Sequence, residues 1–128
     1  MARKSAVVTE TELAILEVLW DYEPCTIREI VDRIYQKHSP ALHATVKSLL
    51  DRLSSKGFIH ADAAGFMLRF STRVSRQSYV AQELGRLADS HFGGALAPLL
   101  LSLVDQAKLS RKERDAVLKI IETIPPKS

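Results

Sequence analysis

Apolar positions recur every three or four residues in three successive stretches before Gly57. In "ELAILEVLW", Leu13, Leu16, Leu19 and Trp20 fall on one helical face, with Trp20 expected to plug the junction of the helices. The preceding "TETE" (Thr9 to Glu12) has the Thr-x-x-Glu spacing of a capping box, and Pro24 ends this first helix. A second capping box, "TIRE" (Thr26 to Glu29), opens a helix that carries Ile27, Ile30, Val31 and Ile34 and runs to about Lys37. The third helix starts with Ser39 as cap and Pro40 in its first turn. Its apolar stripe is Leu42, Val46, Leu49, Leu50 and Leu53, and Gly57 supplies a left-handed stop.

Beyond Gly57 the helical period gives way to strict alternation. Ile59, Ala61 and Ala63 alternate with His60 and Asp62; Phe66, Leu68 and Phe70 alternate with Met67, Arg69 and Ser71. This pattern predicts a β-hairpin turning on Gly65, near "AAG". The helical period then returns in a segment capped by Ser75 and carrying Val80, Leu84, Leu87 and His91, which Gly93–Gly94 breaks. "ALAPLLLSLVDQA" is apolar nearly all round, and a third capping box, "SRKE" (Ser110 to Glu113), opens a last helix with Val117, Leu118, Ile121 and Ile124. The expected fold is therefore mainly α with one small β-hairpin.

Three helices followed at once by a hairpin is the winged helix-turn-helix layout, with the hairpin as the wing. The boundary is expected near Arg73, giving a DNA-binding region over 1–73 and a three-helix dimerisation region over 74–128. At 100° per residue, the third helix presents Ala41, Ala44, Lys47, Ser48, Asp51 and Ser55 opposite its apolar stripe, flanked by Thr45 and Arg52. Small and hydrogen-bonding residues in that front half suit close approach to base edges in a major groove. His43, Ala44, Thr45, Lys47 and Ser48 are the candidates for base edges; Ser39, Arg52, Lys56 and the wing's Arg69 are those for the phosphate backbone. In a protein-interaction adaptor, the alternative reading, large apolar or acidic residues would be expected on the same face.

Composition narrows the class without deciding it. The chain has 128 residues, a net charge of +3 and 46% hydrophobic residues, ordinary values for a globular protein. Only the ends, "MARKS" and "PPKS", read as disordered. One cysteine, Cys25, can form no internal disulfide and points to a reducing cytoplasm; it reads as a partly buried thiol. Neither a secretory signal nor a membrane span is expected. His38, His43, His60 and His91 are scattered without metal-ligand spacing, and His91 lies on an apolar face as an interface histidine. No nucleophile, phosphate-cradling loop or carboxylate pair suggests an enzyme, and no metal or other cofactor is implied.

Taken together, "ETELAILEVLW", "TIREIVDRI", "ATVKSLLDRLSSKGFI" and "GFMLRFSTRVS" resemble the penicillinase-repressor (BlaI/MecI/CopY) family of transcriptional regulators, in order from about Thr9 to about Glu122. The resemblance implies a homodimeric repressor on a double-stranded DNA operator with dyad symmetry. It also implies, in penicillin-responsive members, a regulatory protease that leads to cleavage in the dimerisation region, which maps near Ser102–Leu103. The family often has Thr-Thr where this chain has Ala44–Thr45, and a basic residue where it has Phe66. The Cys-x-Cys pairs of copper-responsive members are missing here. The apolar pattern independently points to association: Val80, Leu84, Leu87, Leu96, Leu99, Leu100, Leu103, Leu118 and Ile121 exceed what three helices can cover among themselves.

Overall fold

The computed structural model describes residues 7–106 and 108–123, so the expectations for Ile124, "MARKS" and "PPKS" lie outside the described residues. The element order is α1 (Glu10–Tyr22), α2 (Ile27–Tyr35), α3 (Pro40–Ser55), β1 (Ile59–Ala64), β2 (Met67–Thr72), α4 (Arg76–His91), α5 (Leu96–Gln106) and α6 (Arg111–Thr123). This is the mainly α fold with a small hairpin that the pattern predicts. Two compact units divide it, Met1–Arg76 and Gln77–Ser128.

All three capping boxes form. Thr9 Oγ1 accepts from the Glu12 amide at 3.2 Å while Glu12 Oε1 accepts from the Thr9 amide at 2.9 Å. Thr26 and Glu29 do the same for α2, and Ser110 and Glu113 for α6. Each box satisfies two amides that a bare helix start leaves orphaned. At the far end of α3, Gly57 at φ +86 lets its own amide reach Ser54 O and lets Phe58 N reach Leu53 O, both at 3.0 Å. That pair of bonds is the Schellman closure.

α2 stops two residues short of Lys37. Gln36 takes a left-handed conformation, φ 60, and its amide closes on Asp32 O. A non-glycine residue in that region carries no strong sequence signal, which is why the periodicity alone overran it.

The core of the first unit is Ile15, Leu16, Leu19, Ile30, Val31, Val46, Leu49, Leu50 and Leu53, closed by Cys25, Ile59 and Phe70. Trp20 packs against this cluster from the edge and donates its Nε1–H to Val74 O at 2.8 Å. The Arg76 guanidinium lies 5.3 Å from the indole centre and 3.2 Å from Asp21.

The wing is a two-stranded antiparallel sheet running from Ile59↔Thr72 to Ala64↔Met67. Gly65 and Phe66 are its two-residue turn, and Gly65 at φ +75 supplies the positive φ that a tight hairpin needs. Burial reaches only the root: Ile59 and Phe70 are in the core, whereas Ala61, Ala63, Phe66 and Leu68 of the alternating pattern are exposed. The root is tied twice to the α1–α2 loop. Cys25 exchanges both backbone hydrogen bonds with Phe70, at 3.1 and 2.7 Å, and Glu23 accepts from the Thr72 amide at 2.6 Å.

In the second unit α5 packs on α6, and Ala88, Leu99 and Val104 are the buried apolar residues. No single helix among the described residues is long and apolar enough to cross a membrane. Only the α4–α5 pair combined would be, and it is bent by 97°.

Candidate nucleic-acid interface

Burial divides α3 cleanly. Val46, Leu49, Leu50 and Leu53 are buried, while Ala41, Ala44, Thr45, Lys47, Ser48, Asp51, Arg52 and Ser55 are exposed. Ala44, Thr45, Ser48, Leu49 and Arg52 line a shallow concavity on the outer face. Small side chains at 44, 45 and 48 make that hollow, so an approaching group can come close to the helix there.

Lys47 lies one helical turn before Asp51 and its ammonium is 3.5 Å from Asp51 Oδ2, with both side chains about two-thirds exposed. An exposed pair of this kind contributes little, so Lys47 can exchange Asp51 for a stronger acceptor. Ser39 uses its hydroxyl oxygen to accept from Leu42 N at 3.1 Å, which leaves its O–H free to donate to a phosphate. Arg52 is exposed on the same face, one turn beyond Ser48.

His43 is half-buried beside this face and is not isolated. Its Nε2 is 3.2 Å from His38 Nδ1, and His38 Nε2 is 3.3 Å from Asp32 Oδ1. The three residues come from α3, the α2–α3 connection and α2, so no single helical period brings them into register. His38 and Asp32 were missed as companions of His43 for that reason.

Lys56 is placed differently from the sequence expectation. Its ammonium turns inward, 2.7 Å from Glu12 Oε1 and 2.6 Å from Val7 O, with the side chain only 25% exposed. Glu12 itself is fully buried, and it is the ionic partner of Lys56 here. Burial pushes the Glu12 carboxyl up. The Lys56 ammonium and the Thr9 amide outweigh that and hold it below the usual carboxylate range.

Arg69 sits mid-wing opposite Asp62, half-exposed and 4.0 Å from Glu29 at the start of α2. It faces the same side of the molecule as the first turn of α2, not the wing tip. The tip instead presents Phe66, wholly exposed, with Met67 and Leu68 half-exposed. Cys25 is buried at the wing root. Burial, with Glu29 and Glu23 nearby, raises its thiol above the usual range, so at neutral pH it stays protonated and inert.

The residues expected to dimerise separate into two groups. Leu99 is buried within its own unit, and Leu84, Leu100, Leu118 and Ile121 are partly covered. Val80, Leu87, Leu96 and Leu103 are exposed, as are Leu101 of the same apolar run and Ile120, which the pattern did not single out for this role. His91 is exposed as well. Among the described residues no three His, Cys, Asp or Glu side chains converge on a metal position.

The penicillinase repressor family model matches residues 8–123. The penicillinase repressor of Staphylococcus aureus is 22% identical over 127 residues, covering 99% of this chain and all of the relative. An uncharacterised 16.5 kDa protein from the ptsI 3′ region of Latilactobacillus sakei is 23% identical over 113 residues, 88% of this chain and 77% of that protein. With three capped helices, a wing rooted in their core and a match that spans both units, the chain belongs to the penicillinase repressor family and is a penicillinase-repressor-like transcriptional regulator.

Proposed function

We propose that this regulator represses transcription by binding, as a homodimer, a DNA operator with two-fold symmetry. The observation that carries the reading is the outward face of α3: a buried stripe on one side and Ala44, Thr45, Lys47 and Ser48 exposed on the other. A major groove admits an α-helix, and residues of this size let the helix seat close to the bases. Lys47 then donates to guanine, Thr45 and Ser48 pair with base edges, and Ala44 touches a thymine methyl. Ser39, Arg52 and Arg69 meet the backbone, which positions the helix without reading sequence.

Residues 1–73 carry DNA binding in this reading and residues 74–128 carry dimerisation. The protein acts in the cytoplasm, without a cofactor and without catalysis. Release from DNA follows proteolysis near Ser102–Leu103, a bond in the middle of α5 with Leu103 exposed.

The test is binding of purified protein to fragmented genomic DNA at two salt concentrations. Expected are a few protected sites with dyad symmetry, half-sites one or two helical turns apart, and affinity that falls steeply with salt. Uniform retention of all fragments, equally salt-sensitive and without a preferred site, would reject operator binding.

A further inference from the structure

Asp32, His38 and His43 form a hydrogen-bonded chain where α2 hands over to α3. The imidazole centres are 5.4 Å apart and tilted by 46°, joined by the 3.2 Å contact between His38 Nδ1 and His43 Nε2. Asp32 Oδ1 takes the other nitrogen of His38 at 3.3 Å. His43 Nδ1 lies outside this chain. It has no protein partner among the described residues and is not one of their buried, unpartnered atoms, so it is open to solvent. Its neighbours in sequence are Ala44 and Thr45 of the outward face.

Counting hydrogens along the chain decides what Nδ1 offers. An ionised carboxylate only accepts, so His38 Nε2 carries a hydrogen and donates it to Asp32. With both rings neutral, His38 Nδ1 is a lone pair and accepts from His43 Nε2–H. His43 then has no second hydrogen, and its Nδ1 is a bare acceptor. One proton added to the pair reverses that. Placed on His43, it sits on Nδ1. Placed on His38, it makes His38 Nδ1 a donor, and His43 must shift its own hydrogen from Nε2 to Nδ1 to accept. In both arrangements the open nitrogen becomes an N–H. On the elements that carry this pair, Asp32 of α2 is bonded to His38, Lys37 precedes His38 in the connection, and Lys47, one turn further along α3, is directed to Asp51.

We infer that His43 reads a base edge through Nδ1, and that Asp32 and His38 are positioning residues that set which edge it takes. A neutral pair accepts from the amino group of cytosine or adenine; a pair carrying one proton donates to N7 or O6 of guanine, O4 of thymine or N7 of adenine, and so disfavours cytosine alone. This rests on the reading of α3 as a major-groove helix. It makes one operator position dependent on pH, a property that a purely structural cap would not confer.

The experiment is selection of bound duplexes from a randomised pool by the full-length protein, at about pH 8 and about pH 6, constant salt and with EDTA present. For the wild type, one position per half-site is expected to lose cytosine and gain guanine or thymine as the pH falls, with discrimination of roughly tenfold. His43→Ala should lose preference at that position at both pH values. His38→Ala, which frees the tautomer, should tolerate all four bases there at both pH values while keeping the other positions unchanged. An identical wild-type preference at both pH values would overturn the inference, as would a pH-dependent change that survives in His43→Ala. A preference that needs added Zn²⁺ and disappears with EDTA would also overturn it, since the two rings would then be acting as metal ligands. Enrichment of no sequence at either pH would instead remove the major-groove reading beneath it.

Discussion

Glu12 has two tasks that rarely coincide. It completes the cap of α1, and it is a fully buried carboxylate whose charge is met by Lys56 at 2.7 Å. Its folded pKa is depressed, so its contribution to stability is present above the unfolded value of about 4.3 and is lost as pH falls through the folded one. Glu12→Gln leaves the Lys56 ammonium half-buried beside a neutral amide. The expected cost is roughly 1–3 kcal/mol at neutral pH. Urea unfolding checks this: the gap between variant and wild type should narrow in acid, and a gap constant from pH 7 to strong acid would show that charge has no part in it. Lys47 is the opposite case, since its partner Asp51 is exposed and easily given up. Lys47→Ala should relax base discrimination by about 1–3 kcal/mol while changing fold stability little. Competition titrations against operator variants measure it, and unchanged discrimination would remove Lys47 from the reading face.

The wing shows how one element can be half core and half solvent. Phe70 is 7% exposed and Phe66 fully so, although both belong to the same alternating set. The root is held by the Cys25–Phe70 bridge and by Glu23 on Thr72, Arg69 reaches Glu29 from mid-wing, and the tip projects past the end of that support. Phe70→Ala should therefore cost about 3–5 kcal/mol, as for a core aromatic. Phe66→Ala should stay within about 0.5 kcal/mol. Thermal unfolding of the two variants gives the comparison directly; a large loss from Phe66→Ala would mean that the tip is covered in the folded protein.

Across the whole molecule, the second unit keeps large apolar side chains in water. Val80, Leu87 and Leu103 are each close to half exposed, whereas Leu99 and Val104 are spent inside the unit. Burying each exposed leucine against a second copy would contribute up to ~1.5–3 kcal/mol, reduced by the cost of docking two bodies. Dimerisation would also double the bases contacted, which a regulator needs in order to select a site in a genome. Leu103→Asp should lower dimer content and operator affinity together and leave helix content intact. Leu99→Asp should unfold the unit instead. Sedimentation at micromolar concentration separates the outcomes, and a wild-type monomer with full operator affinity would refute this role.

Features that depend on neighbours three or four residues away could be read directly from residue spacing. The three capping boxes, the Ser39 and Gly57 ends of α3, its buried stripe and the hairpin turn at Gly65 all rest on hydrogen bonds or side-chain periods contained within one segment. The outward face of α3 was legible for the same reason: one period places both the stripe and its opposite. The remainder depends on contacts between segments far apart in the chain. Glu12 meets Lys56 across 44 residues, so nothing local marks either as half of a buried pair. Gln36 ends α2 early, and that turn brings His38 between Asp32 and His43. In α5, apolar on nearly every side, periodicity cannot choose a buried face. Packing against α6 and the rest of its unit makes that choice, burying Leu99 and Val104 and leaving Leu103 outside.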